Sequence, residues 1–169
     1  MKQIPLTRGY VALVDDADYE AMRQHKWQVM VGQRGNLYAA RSITVSPGKQ
    51  RTAFMHQQIM RPETGYSVDH VDGNGLNNQR ANLRACTHKQ NCANRRPSHG
   101  KSSRFKGASW VVRDQVWRAN IYVDGKTKCL GEYHSETDAA QAYNRAAREL
   151  YGEYARLNDV PNSAPRSPA

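Results

Sequence analysis

Residues 68–96 place six asparagines around a single Asp69-His70 pair. A carboxylate, an imidazole and amide oxygens transfer protons and bind metal ions when they converge. The same asparagines favour turns over helices and strands, so a long polar loop is the alternative. What separates the two readings is whether the chain around them forms elements that bring the side chains together. Ser67–Val71 reads as a strand carrying Asp69 and His70 at its end, Asp72-Gly-Asn-Gly75 opens a broad turn, and Leu83–Cys86 reads as the returning strand. Thr87-His-Lys-Gln90 has capping-box spacing, which starts a helix and puts Asn91 near its first turn. Strand end and helix start would then present a carboxylate, an imidazole and an amide oxygen to one place.

The preceding residues read as scaffold. Tyr10–Val14 is a strand candidate, Asp15-Asp-Ala-Asp18 starts a helix, and Trp27–Val31 with Leu37–Arg41 forms a hairpin about the turn at 32–36. Phe54–Met60 is a short helix ended by Arg61-Pro62, because the residue before proline disfavours helix. Beyond the asparagine-rich segment, 95–101 reads as a linker rich in Gly, Ser, Pro and positive charge. A second unit over 102–158 is better patterned. Trp117, Ala119, Ile121 and Val123 alternate with Arg118, Asn120 and Tyr122, and Asp124-Gly125 turns the chain into a strand over 126–133. Ser135-Glu-Thr-Asp138 caps a helix whose apolar stripe is Ala139, Tyr143, Ala146, Ala147 and Leu150, closed by Gly152. Residues 159–169, with three prolines, read as a disordered tail.

With 169 residues and a mean hydropathy of -0.85, two small domains fit better than one large core. The formal charge of +10 favours a polyanionic partner, and the excess is spread over both halves: 14 basic against 7 acidic residues in 1–97, and 10 against 7 in 98–158. Cys86, Cys92 and Cys129 make neither an even set nor a C-x-x-C pair, which argues against a disulfide framework and against structural zinc. Three local ligands, Cys86, His88 and Cys92, are too few for a closed zinc site. No apolar run approaches membrane-spanning length, and the first residues lack the apolar core of a signal peptide, so a cytoplasmic location is expected.

Asp69-His70, Asn82 twelve residues beyond His70, and Asn91 nine further resemble the HNH endonuclease motif in its phage and group-I-intron homing form. In that family the last position is often Asn. The likeness is close from Asp69 through Asn94 and looser over 1–65. It implies a nuclease domain over 1–94 with a ββα-metal core at about 66–94. It also implies roles: Asp69 and Asn91 as ligands for Mg²⁺ or Mn²⁺, His70 as the base that takes a proton from the attacking water, and Asn82 as the residue that fixes the loop positioning His70. These roles agree with the chemistry of hard oxygen ligands and of an imidazole near neutral pH. Asn74, Asn77 and Asn78 are assigned to the turn, and His56 to packing.

Ser103-Arg-Phe-Lys-Gly107, Trp117–Ile121, Leu130–Tyr133, Ala139–Ala147 and Gly152–Asn158 together resemble the ethylene-response-factor (APETALA-type) DNA-binding domain. That resemblance implies a three-stranded antiparallel sheet laid in the major groove and backed by a helix, with Lys106, Trp110, Arg113, Arg118, Asn120 and Tyr122 as DNA contacts. Arg95 and Arg96 join them from the linker as phosphate contacts. Thr127 and Cys129 stand where plant members carry Arg and Trp, so plant target sequences are not transferred. The fold class is therefore α+β, a nuclease domain followed by a small sheet-and-helix domain. The chain reads as a site-directed, metal-dependent endonuclease on double-stranded DNA. One site implies one strand nicked per monomer, in the cytoplasm of a bacterial host if a phage encodes it. The competing reading is a DNA-binding regulator whose HNH-like module is not catalytic.

Overall fold

The computed structural model describes residues 1–32, 35–96 and 102–161. The tip of the 32–36 turn, most of the predicted linker and the tail beyond 161 lie outside the described residues. The chain is a mixture of small antiparallel sheets and four α-helices, and it divides into two compact units, Met1–Asn91 and Cys92–Ala169.

The first unit begins with a hairpin of β1 (Lys2–Pro5) and β2 (Val11–Val14), in which Ile4 and Val14 turn into the core. Helix α1 (Asp16–Arg23) follows at once, with Asp16 and Asp18 in its first turn, where carboxylates suit the helix dipole. A three-stranded meander of β3 (Gln28–Val31), β4 (Leu37–Ser46) and β5 (Lys49–Phe54) comes next. Helix α2 (Met55–Met60) buries Met55, His56 and Ile59. It ends at Arg61, which leaves the helix as predicted but enters the left-handed region at φ 46°. Strands β6 (Ser67–His70) and β7 (Leu83–Cys86) pair antiparallel, and α3 (His88–Asn94) follows. The predicted capping box is present: Gln90 N–H donates to Thr87 Oγ1, and Thr87 N–H donates to Gln90 Oε1. One apolar cluster unites these elements, with Val14, Trp27, Val29, Met55, Ile59, Val68 and Leu83 among its members.

The second unit is a sheet in the order β10-β9-β8, from β8 (Ala108–Val111), β9 (Val116–Val123) and β10 (Lys126–Tyr133), backed by α4 (Glu136–Tyr151). Ala119 and Ile121 pack against Ala139, Ala140, Tyr143 and Ala147, the face predicted from alternation. Ser135 caps α4 by accepting from the Thr137 and Asp138 N–H groups. Two expectations need correction. Leu150 is exposed, because the buried stripe of α4 rotates onto Ala140 and Asn144 instead of running through it. The start of the predicted disordered tail is bound to α4: Asn144 donates to the Asn158 carbonyl, Gln141 to the Pro161 carbonyl, and Val160 joins the core.

Candidate active site

Register places Asp69 opposite Arg84 and His70 opposite Leu83. Facing residues of an antiparallel pair share a side of the sheet, so Arg84 reaches Asp69 directly. Its Nε and Nη2 both donate to Asp69 Oδ2, at 3.0 and 2.8 Å, and both side chains are largely buried. The carboxylate expected to attract a metal ion is thus already neutralised by a guanidinium.

His70 is 5% exposed. Its Nε2 lies 3.4 Å from Asn78 Oδ1, its ring meets His56 edge-on at 4.9 Å between centroids, and Tyr38 tilts over it at 6.1 Å. Burial holds the His70 pKa below the ordinary histidine value, against the opposing influence of Asn78, Asp72 and Asp69. The imidazole is therefore neutral at pH 7 and able to accept a proton. His56 is pushed down to about 3, by burial first and by the His70 charge second, and its Nδ1 is buried with no hydrogen-bond partner.

The loop between the strands is stitched by short side-chain bonds. Asp72 Oδ1 accepts from Asn74 N–H, Asn74 Oδ1 from Leu76 N–H, and Asn77 Oδ1 from Gln79 N–H, three Asx turns in succession. Asn82 closes it. Its Oδ1 accepts from Asp72 N–H at 3.0 Å, and its Nδ2 donates to Asp72 Oδ1 at 3.0 Å and to the Asn77 carbonyl at 2.8 Å. Burial tends to raise the Asp72 pKa, but the bonds from Asn74, Asn77 and Asn82 outweigh it and leave the group more acidic than usual. Asn91 stands in the first turns of α3, its N–H on the Thr87 carbonyl.

Distant residues anchor this loop. Leu13 of β2 donates to the Leu76 carbonyl and accepts from Asn78 N–H, both at 2.8 Å. Asp15 accepts from Gln79 Nε2 and Arg80 N–H, and Arg80 forms a two-point ion pair with Asp18. At Gly75 the loop backbone lies so close to β4 that a Cβ would stand 2.3 Å from the Leu37 carbonyl and 2.5 Å from the Tyr38 ring. Asn78, assigned to the turn from sequence, is fully buried against His70 and donates to the Leu76 carbonyl. An asparagine that holds an imidazole has no sequence mark separating it from one that makes a turn. Tyr38 and Arg84 were likewise not singled out, since their proximity follows from long-range pairing.

Among the described residues no group of three or more His, Cys, Asp and Glu side chains forms a metal cluster. The hard oxygen donors that the resemblance names, the Asp69 carboxylate and the Asn91 amide oxygen, are few, and the Asp69 carboxylate is already bonded to Arg84. Such a set fits an ion of the Mg²⁺ type, which keeps several waters and takes phosphate oxygens as further ligands.

In the second unit, Arg118, Asn120 and Tyr122 lie on the sheet face away from α4, with Tyr122 65% exposed. Arg118 is occupied by Glu132 at 2.6 Å and lies 4.0 Å from Asp114, Arg113 pairs with Asp114, and Asn120 donates to Ser109 Oγ. Trp110 faces Trp117 in register and stacks on it at 5.2 Å, so it lies on the helix side of the sheet, at its rim. Its face, which the sequence left open, is set by the β8–β9 pairing. Lys106 directs its ammonium to the Ala93 carbonyl and the Tyr143 ring, contacts inside the unit. Arg95 and Arg96 are exposed.

The HNH endonuclease family model matches residues 51–93, the segment that carries every residue of the loop and both strands. An uncharacterized HNH endonuclease of Acanthamoeba polyphaga mimivirus is 37% identical over 157 residues, covering 90% of this chain and 77% of that protein. Protein 3.8 of Escherichia phage T7 is 36% identical over 93 residues, 55% of this chain and 76% of that protein. The chain belongs to the HNH endonuclease family. It is a DNA endonuclease, and the reading as a purely non-catalytic regulator gives way to that assignment. An AP2-like ethylene-responsive transcription factor of Arabidopsis thaliana is 36% identical over 66 residues, 39% of this chain but 14% of that protein. No solved structure matches the chain at a significant level. No helix among the described residues is long and apolar enough to cross a membrane.

Proposed function

We propose that the chain is a site-directed nuclease, with a cutting domain over 1–94 and an ethylene-response-factor-type targeting domain over 102–158 joined by 95–101. The observation that carries the cutting role is a buried, neutral His70 oriented by Asn78 at the head of a loop closed by Asn82. His70 accepts the proton of the water that attacks the phosphodiester. Asn78 fixes the ring, and Asn82 fixes the loop beneath it. Asp69 and Asn91 would hold a Mg²⁺ or Mn²⁺ ion, whose chemistry is to stabilise charge on the leaving 3′-oxygen. Because Arg84 cancels the Asp69 charge, ion binding leans on DNA phosphates, and metal affinity rises when DNA is present. One base and one ion serve one strand, so a monomer nicks.

Targeting rests on the outward sheet face, where Arg118, Asn120 and Tyr122 are the reading residues and Arg113, Arg95 and Arg96 the phosphate contacts. Arg118 must exchange Glu132 for a base edge, which makes its contribution a difference between two partners. Two of its relatives are viral, and a phage-type homing role is part of this proposal. The test is nicking of a supercoiled plasmid with Mg²⁺ titrated in, by wild type, Asp69→Ala and His70→Ala. Wild type nicks only with metal, excess metal restores Asp69→Ala in part, and His70→Ala stays inactive. Cutting by His70→Ala at the wild-type rate would remove His70 from the chemistry.

A further inference from the structure

Charge in the first unit is unevenly matched. Among its described residues Arg23, Arg80 and Arg84 each pair with a carboxylate, whereas Arg8, Arg41, Arg51 and Arg61 do not. The last three line one concavity. A groove of about 530 Å³ is walled by Arg41, Gln57, Gln58, Arg61 and His25, and an adjoining one of about 260 Å³ shares Gln57, Gln58 and Arg61 and adds Arg51. No Asp or Glu lines either part.

Arg41 is held at the wall of this groove by two side chains. Its guanidinium lies 5.5 Å from the Trp27 ring centroid, Nη2 is 3.5 Å from Gln58 Oε1, and Nε is buried without a hydrogen-bond partner. A buried donor left unpaired is costly, and like charges gathered at one groove repel. A phosphate in the groove relieves the repulsion, since its oxygens accept from guanidinium groups and cancel their charge. The cation–π contact with Trp27 and the Gln58 bond hold the guanidinium beforehand.

The groove is joined to the active site through α2. His56 packs on His70, and the next residues of the same helix, Gln57 and Gln58, line the groove. His56 and Gln58 are two positions apart on α2 and so point to roughly opposite sides of it, which places the groove and His70 on the two flanks of one helix.

We propose that this groove seats a backbone phosphate of the DNA substrate to one side of the bond that is cut, with Arg41 and Arg61 as its ligands and Arg51 on the neighbouring phosphate. The proposal deepens the nuclease reading and rests on His70 as the cutting site for its place relative to the cut, but not for its binding chemistry. It is distinct from the sheet contacts of the second unit, because it reads no base and lies among residues of the cutting unit.

The test measures binding of a labelled duplex of arbitrary sequence by the full chain at several salt concentrations. Arg61→Gln and Arg51→Gln are the primary variants, since both side chains are exposed and their loss leaves the core intact. Each should weaken binding several-fold at low salt and flatten the slope of log K against log salt by about 0.9. Arg41→Lys, which keeps charge without the fork, should weaken binding while preserving most of the slope. Arg8→Gln serves as the control, because Arg8 lies outside both grooves. Unchanged affinity and slope in Arg61→Gln and Arg51→Gln would overturn the proposal, as would an equal loss in Arg8→Gln. If wild type shows the groove-dependent slope yet never nicks DNA, the phosphate seat stands and the cutting role of His70 falls.

Discussion

His56 makes the nuclease unit acid-labile by an amount that can be worked out. Its ring is 7% exposed, its Nδ1 has no partner, and Phe54, Tyr38 and His70 surround it. Burial first and the His70 charge second push its pKa to about 3, from an ordinary value of 6.5. Between those values the unfolded chain binds a proton that the folded chain refuses. Stability is therefore full above about pH 6.5 and declines as pH falls toward 3. At about pH 4 this linkage removes about 3 kcal/mol, a large share of the 5–15 kcal/mol or so that holds a typical domain together. His56→Phe abolishes the titration and keeps an aromatic ring beside Phe54. Hydrogen exchange of core amides in β2 and β6, followed across urea concentrations, reports the stability of this unit alone. On going from about pH 7 to about pH 4, wild type should lose about 3 kcal/mol more than the variant. Asp72 and Asp15 also have depressed pKa values, but both proteins contain them, so they cancel, whereas His70 interacts with His56 and its own titration shifts in the variant. Parallel losses in the two proteins would refute the claim that the fold holds His56 neutral.

His70→Ala should lower nicking at saturating DNA and metal by about 10²–10⁴-fold, the effect of a lost general base. Because burial depresses the His70 pKa, wild-type activity should survive below the usual histidine range and be lost only as pH falls through that lowered value; a rate limb centred at or above 6.5 contradicts this. Asn82→Ala strands partners on Asp72 and Asn77, at about 1–3 kcal/mol for each group left unsatisfied, and a thermal melt matching wild type would show that the loop does not depend on it. Arg118→Ala should relax target choice in competition between duplexes, whereas Arg95→Ala and Arg96→Ala should weaken all duplexes alike; the reverse pattern would exchange reading and phosphate roles.

Legibility from sequence followed the range of the interaction. The capping box at Thr87–Gln90, the Asp124-Gly125 turn and the Ser135 cap are contained within a few residues, and all three stand in the structure. β1 and β5 escaped because Lys2–Pro5 contains a proline and Lys49–Phe54 is polar and mostly exposed, leaving no alternation to read. The face of Trp110 could not be read from sequence, because parity in β8 is set by its pairing to β9. Arg84 was visible only as a basic residue, since its place opposite Asp69 requires a register that an irregular loop does not reveal. Candidate residues could be named from sequence. The groups that set their charge and orientation could not, because each reaches its partner from elsewhere in the fold.

The clasp of Leu13 on Leu76 and Asn78 bears on how such a nuclease can be moved between proteins. The segment that identifies the family runs from 51 to 93, yet its loop borrows backbone bonds from residue 13, carboxylates from Asp15 and Asp18, and an aromatic wall from Tyr38. A graft cut at the edges of the recognisable motif would leave Asn78 without its strand partner and His70 without half of its housing. The transplantable piece is the whole first unit, so recombination that preserves activity must break the chain outside it, and insertions inside 11–50 are tolerated only where they spare β2, the start of α1 and the first residues of β4.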